Sequence, residues 1–335
     1  MTFGEIDVAL AQGAILAHSV RKDGISFKKG RVLSAADITE LSAAGVAKVF
    51  AARIGDRDVH EDAAAGQLAD AVCGNGVVRQ AAATGRANIY SSHDGIVLVD
   101  AGLVRALNRL HEAVTLATLT PFQAVKAGQM VATVKIIPFS APAGFVDEAV
   151  ELASSGALVS VVPFTPHKAG LVLTRRVGMK EALLEKSSSV IRDRLERLGS
   201  GLGDVIEVAH TIDGVADGIR QLKASGHDPV LVFGASAIVD RGDVVPAGLE
   251  AAGGQIVHLG MPVDPGNLLL LGKLEDGAVI GVPSCARSPK SNGFDWVLGR
   301  VLAGIDVRPQ DIMDMGAGGL LMEIETRPSP REAGR

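Results

Sequence analysis

The sequence predicts an α/β fold, a mostly parallel sheet with helices on both faces, preceded by a smaller mixed and β-rich region. Three observations predict it. From about residue 168, short apolar runs such as Pro229-Val230-Leu231-Val232 alternate with amphipathic stretches, the rhythm of β-α-β units around a covered sheet. Between residues 73 and 145, β-rich runs are instead split by Gly, Asn and Pro turns. A content of 47% apolar, 21% charged and only 3% aromatic residues suits tightly packed α/β layers.

Ser34-Ala35-Ala36-Asp37 starts a helix with Ile38, Leu41 and Ala44 on one face and Gly45 as its stop. Residues 46–50 read as a strand, and 62–72 as an Ala-rich helix ended by Gly74. Residues 95–99 and 130–137 are strands of a small barrel- or sandwich-like part, with Asn75-Gly76 and Asp94-Gly95 as turns and 138–145 as a linker. Further on, strands are expected at 171–173, 204–209, 230–233, 255–259 and 278–281. Helices are expected at 179–198, where Leu184, Ile191, Leu195 and Leu198 share a face, and at 213–224, 247–252 and 291–302. The Gly- and Pro-rich residues after 307 read as an exposed extension. The expected segments are therefore 1–72, 73–145, 168–306 and 307–335.

Bulk properties exclude several classes. A net charge of -5 gives no general attraction to nucleic acid, and few aromatic rings are present to stack on bases. Two cysteines are too few for a disulfide framework, and the eight histidines show no paired zinc spacing. No run of about 18 apolar residues and no basic-then-apolar leader occurs, so the expected location is cytoplasmic.

The richest stretch is FGASAIVDRGDVVP at 233–246, a small-residue turn between a strand and a helix, where backbone N–H groups can meet an anion. It carries the hydroxyl of Ser236 and the carboxylates of Asp240 and Asp243. Asp243 also fits an ordinary helix N-cap. Two more loops, PVDPGN at 262–267 and GVPSCARSPKSNG at 281–293, follow or precede strands of the same sheet. The latter offers Ser284, Ser288, Arg287, Lys290 and a helix N-terminus, a set suited to phosphate, although a polar surface loop has the same composition. Cys285 reads as a small buried residue, because a phosphatase-type loop needs Arg where Ser291 stands. GNLLLLGKL at 266–274 is one residue too long for a P-loop and has Leu274 where Ser or Thr must ligate magnesium. GSGLG at 199–203 follows a helix and reads as a cap and turn.

These loops resemble, in order, the molybdopterin-binding fold of molybdenum-cofactor biosynthesis proteins, the MoaB/Mog and MoeA/gephyrin group. GAS at 234–236, DVVP at 243–246, AAGGQIVHLG at 251–260, DPGN at 264–267 and GVPSCARS at 281–288 carry the likeness, over roughly residues 168–305. KKGRVLSAADITELSAAGVAKVFAA at 28–52 resembles a segment of the molybdenum-insertion branch, with Ala36 in place of its proline. GRANIYSSHDGIVLVD (85–100), ATVKIIPF (132–139) and GAGGLLMEI (316–324) resemble alphaproteobacterial proteins in which such a half is fused to a cytidylyltransferase. Departures include Ala235 and Ala237 in place of Thr and Gly, about two extra residues before Asp243, and Ser284 in place of Gly.

The resemblance implies a molybdopterin ligand bound by Gly234, Ala235, Ser236, Asp264, Pro265, Gly266, Asn267, Pro283, Ser284, Cys285, Ala286, Arg287, Ser288 and Lys290. Ser236, the Gly234 turn and the 284–288 loop would meet its phosphate, and Asp264 the aminopyrimidine edge of the pterin. Asp243 would be catalytic or Mg2+-linked, Asp240 a weaker metal candidate, and ATP or CTP a nucleotide partner. The implied role is to hold molybdopterin or its nucleotide form; the alternative is an enzyme that adenylylates molybdopterin or inserts molybdate. Molybdenum-cofactor enzymes or a cytidylyltransferase are the implied partners, and a homo-oligomer the implied state.

Overall fold

The computed structural model describes residues 1–264 and 266–321, and the chain divides into two compact units, Met1–Val162 and Pro163–Arg335. Among the described residues no helix is long and apolar enough to cross a membrane.

The first unit holds two separate cores. Strands Thr2–Asp7, Ile15–Leu16 and Lys48–Arg53 form a small sheet, and with the helix Ala35–Ala43 they enclose Val8, Leu16, Phe27, Leu33, Leu41 and Val49. That helix starts at Ser34 through a capping box with Asp37, so two orphan N–H groups are satisfied reciprocally. The guanidinium of Arg31 also grips Asp37 through both carboxylate oxygens, at 3.0 and 2.7 Å. The second core is larger. Strands Val77–Arg79, Arg86–Ser91, Val114–Thr118 and Met130–Ile136 form a four-stranded antiparallel sheet against which the helix Glu61–Val72 packs. The 62–72 helix therefore shares its core with the β-rich part and not with the small sheet and helix of residues 2–53.

Two helices in this unit depart from the sequence reading. Ala101–Leu110 lies inside the stretch expected to be β-rich, and it buries Leu107. Residues 138–145 are not a bare linker: Ser140–Pro142 pairs with Asp58–His60, and the helix Ala143–Ser154 follows with Val146, Ala149 and Ala153 buried.

In the second unit the elements are β1 (Lys168–Arg175), α1 (Glu181–Arg197), β2 (Gly201–Ala209), α2 (Ile212–Ala224), β3 (Val230–Phe233), α3 (Val244–Ala251), β4 (Gln255–Met261), β5 (Asn267–Leu274), β6 (Gly277–Val282), α4 (Gly293–Leu302) and α5 (Pro309–Met313). They form one six-stranded sheet in the order β2-β1-β3-β6-β5-β4. The first four of these strands run parallel, β5 pairs antiparallel with β6, and β4 pairs antiparallel with β5. The fold is thus α/β with a mostly parallel sheet, as its continuous apolar strands predict.

Strand alternation sorts the two faces. Leu231, Phe233, Leu271 and Ile280 face α1 and α4, represented by Leu184, Ile191, Leu195, Phe294 and Leu298. Val230, Val232, Leu270 and Val279 face α2 and α3, represented by Val215, Ile219, Leu222, Val245 and Leu249. Residues 199–203 are only partly a turn, since Gly201 already begins β2. The residues after 307 depart further from expectation. Through residue 321 they are not an exposed extension, because Val307, Ile312 and Met315 are buried in the α1/α4 core.

Phe294 is fully buried, so Phe294→Ala is expected to lower the stability of the second unit by about 3–5 kcal/mol in urea unfolding. In the first unit, the Arg31 hydrogen bonds hold the Asp37 carboxyl below its usual range. A depressed folded-state value means that this stabilisation is complete above the ordinary carboxylate pKa of about 3.9 and disappears as pH falls through the folded value. Asp37→Asn should flatten the acid limb of the stability–pH curve; an unchanged slope would remove the pair from acid unfolding.

Candidate functional site

The strand order places a reversal of winding between β1 and β3. From β1 the chain passes over the α1 face to β2, then returns over the α2 face to β3. Open α/β sheets leave a crevice at such a point, outside the carboxyl ends of the strands. All three loops singled out from the sequence lie along this edge. Residues 234–243 leave the carboxyl end of β3, and 283–290 leave that of β6. β5 runs antiparallel to β6 with Leu270 opposite Gly281, so Asn267, at its start, sits at the same edge.

The turn after β3 is fixed from both faces. The Ala235 N–H donates to Thr174 Oγ1 at 2.7 Å, from the end of β1. Thr174 Oγ1 also lies 2.9 Å from His210 Nδ1, at the end of β2. Thr174 is fully buried, and its hydroxyl is satisfied by Ala235 and His210 together, the direction of the His210 bond following the imidazole tautomer. Burial, with the Arg176 guanidinium, pushes His210 below its ordinary value, while Asp243 pulls the other way. On the opposite face Arg287 donates to Gly234 O at 3.4 Å and to Ser187 Oγ at 3.3 Å, with its guanidinium 4.3 Å from the centre of the Phe233 ring. Burial lowers the Arg287 pKa, yet its ordinary value is so high that it stays charged. Gly234 is required here because a Cβ would lie 2.7 Å from Ser236 O.

Asp243 caps α3. Its Oδ1 accepts from Val244 N at 2.7 Å and its Oδ2 from Val239 N at 3.2 Å, so both oxygens serve the loop. Asp240 Oδ1 accepts from Gly242 N at 2.8 Å. Among the described residues no group of three or more His, Cys, Asp or Glu side chains comes together to hold a metal ion. The carboxylates of this turn, Asp240 and Asp243, each already accept N–H groups of their own loop. Ser236 is exposed on the turn, whereas the N–H of Ala235, expected to face a ligand, is spent on Thr174.

The 283–290 loop is held from beneath. Pro283 and Ala286 are buried, Ser284 is exposed, and burial pushes the Cys285 thiol up, away from nucleophilic character. Arg194 of α1, almost fully buried, donates to Ser288 O at 2.7 Å, to Lys290 O at 3.2 Å and to Asp295 Oδ1 at 2.7 Å. The Lys290 side chain faces solvent. The N-terminus of α4 departs from expectation, because Asn292 and Asp295 close it as a capping box and satisfy the donors expected to meet phosphate.

In the third loop, Asp264 has a left-handed φ of +43° and Gly266 one of +100°, while Pro265 lies outside the described residues. Asn267 is buried, and among the described residues neither its Oδ1 nor its Nδ2 has a hydrogen-bond partner. Thr174, His210, Arg176 and Arg194 were not found from the sequence. The turn-like run Thr174-Arg175-Arg176 at the end of the first parallel strand was the available signal for the first of them. Beside His210, an open cleft of about 540 Å3 is lined by Arg175, Arg176, Met179, Glu207 and Val208.

Thr174→Val keeps the shape and removes the hydroxyl, leaving the Ala235 N–H unpaired at a cost of about 1–3 kcal/mol in denaturant unfolding. Arg194→Met strands Asp295 and two loop carbonyls. Because Asp295 keeps some exposure, the expected loss is about 3 kcal/mol, the low end for a broken buried pair. A loss under about 0.5 kcal/mol in either variant, the range of neutral surface changes, would contradict this account of the loops.

Comparison with known proteins adds the following. Residues 5–53, the extent of the first small core, match the model of a domain of unknown function, DUF8806. No curated protein matches the chain. Among solved structures, a molybdenum cofactor biosynthesis protein from Pyrococcus furiosus is similar at 12% identity and a TM-score of 0.27, over 91% of this chain and 66% of that one, just under two thirds of its length.

Proposed function

We propose that the second unit binds molybdopterin, or its nucleotide form, and holds it for another enzyme of molybdenum-cofactor biosynthesis. The observation that carries this reading is the convergence of the loops at 234–243, 262–267 and 283–290 on one sheet edge, since these are the loops whose ordered motifs resemble molybdopterin-binding proteins. Molybdopterin presents a flat pterin with hydrogen-bonding edges, a dithiolene and a phosphate. With a chain charge of -5, the phosphate must be held by local donors, and Arg287, Ser236, Ser284 and Lys290 supply them at this edge. Asp264 and Asn267 offer an acceptor and a carboxamide for the pterin edge. A recipient, whether a molybdenum-cofactor enzyme or a cytidylyltransferase, and a homo-oligomeric state belong to the same proposal.

Holding is favoured over adenylylation or molybdate insertion by the bonds of Asp243. A magnesium ion there would have to share the carboxylate with the N–H groups of Val239 and Val244, which fix it as the cap of α3.

The test is a titration with the fluorescent oxidised form of molybdopterin, with and without chelator, followed by a single-turnover assay with Mg2+ and ATP or CTP. Binding is expected to be unaffected by chelator, with no nucleotide transferred. Arg287→Ala should weaken binding about 10–100-fold, the worth of a hydrogen bond to a charged group. Magnesium-dependent transfer would sink the holding reading, and absence of binding would sink the ligand itself.

A further inference from the structure

We propose that residues 314–321 are a latch on Asp264, and that latch and ligand compete for that residue. The inference rests on the reading that Asp264 meets the pterin. The Asp264 N–H donates to Gly319 O at 2.8 Å, and the Leu321 N–H donates to Asp264 Oδ1 at 3.2 Å. One short segment therefore engages both the main chain and the carboxylate of the same residue. The segment is anchored by Ile312 just upstream and by its own Met315, both buried in the α1/α4 core, while Leu320 stands exposed.

Its fit depends on a missing side chain. A Cβ on Gly319 would lie 2.5 Å from Met315 O and 2.6 Å from Pro262 O, both backbone atoms that cannot swing aside. The φ of +43° at Asp264 is one that L residues adopt rarely, Asp and Asn more readily than most, and the two hydrogen bonds from the segment hold it there. Three residues on, the Asn267 carboxamide is buried with neither polar atom paired. In the latched state the acid is thus partly consumed by the chain itself, and the amide beside it makes no hydrogen bond. Release of the segment frees the Asp264 carboxylate to accept from the amino group and ring N–H of an aminopyrimidine. A ligand that binds only the released state has its apparent affinity reduced by the fraction of molecules that are latched.

The experiment titrates the full chain with the fluorescent oxidised form of molybdopterin and compares wild type with Gly319→Val and Leu321→Pro. The first forces the segment off Pro262. The second removes the N–H that Asp264 accepts and restricts the backbone of residues 320 and 321 alone, and it carries the test if the first unfolds, as judged by thermal melting. Binding about three- to tenfold tighter is expected in the folded variants, the gain from removing a mostly latched ground state. In wild type, saturating ligand should speed hydrogen exchange of the Leu321 amide. Equal or weaker affinity in the variants, or unchanged Leu321 protection with ligand bound, overturns the latch and leaves the ligand reading standing. No binding by any folded form overturns both.

Discussion

The site depends on the change of winding between β1 and β3. Because α1 and α2 leave for opposite faces, neither can cover the strand ends between them, and the backbone there has to be satisfied by other means. One hydroxyl and one guanidinium do this. Thr174 takes the Ala235 N–H from the α2 side, and Arg287 reaches the Gly234 carbonyl from the α1 side. The two contacts sit on consecutive residues, so the turn that emerges from β3 has little freedom before any ligand arrives.

Arg194 extends the same logic to the next loop. Burying a guanidinium is costly, and replacing the whole Arg194–Asp295 pair by well-packed apolar side chains would serve stability as well. What an apolar side chain cannot do is bond two loop carbonyls and the Asp295 carboxylate at once. The planar fork of Arg sets the height of residues 288–295 above the sheet, and with it the place from which Arg287 reaches across Phe233.

Much of this was legible in the sequence wherever burial and periodicity agree. Val230–Phe233 is buried on both faces and reads as an unbroken apolar run, and α1 shows its buried stripe at Leu184, Ile191 and Leu195. Ser34 and Asp37 announce the first helix by local chemistry alone. The reading failed where tertiary packing overrides local signals. Ala143–Ser154 hides behind Pro138, Pro142 and Gly144, and residues 307–321 are rich in glycine although Ile312 and Met315 are core. Arg194 looks like a solvated helix position because nothing within one turn reveals loop carbonyls a hundred residues away. Thr174 and His210 escaped for the same reason, since each is ordinary in its own loop and informative only beside Ala235.

The turn at 234–243 therefore differs from the open backbone cradle that its glycine and small residues suggest. In such cradles free N–H groups receive the anion. Here the Ala235 N–H is taken by Thr174, and the N–H groups of Val239 and Val244 are taken by Asp243. The polar side chains at this edge are Arg287 under the turn, Ser236 on it, and Ser284 and Lys290 on the next loop. A turn braced by Thr174, Arg287 and Asp243 is pre-organised without a metal and loses little on binding, which suits retention of an anion. Transfer chemistry instead needs charge to be neutralised as it develops on the reacting phosphate, usually by a metal. Both oxygens of Asp243 serve the N–H groups of their own loop, and that carboxylate holds the turn in shape.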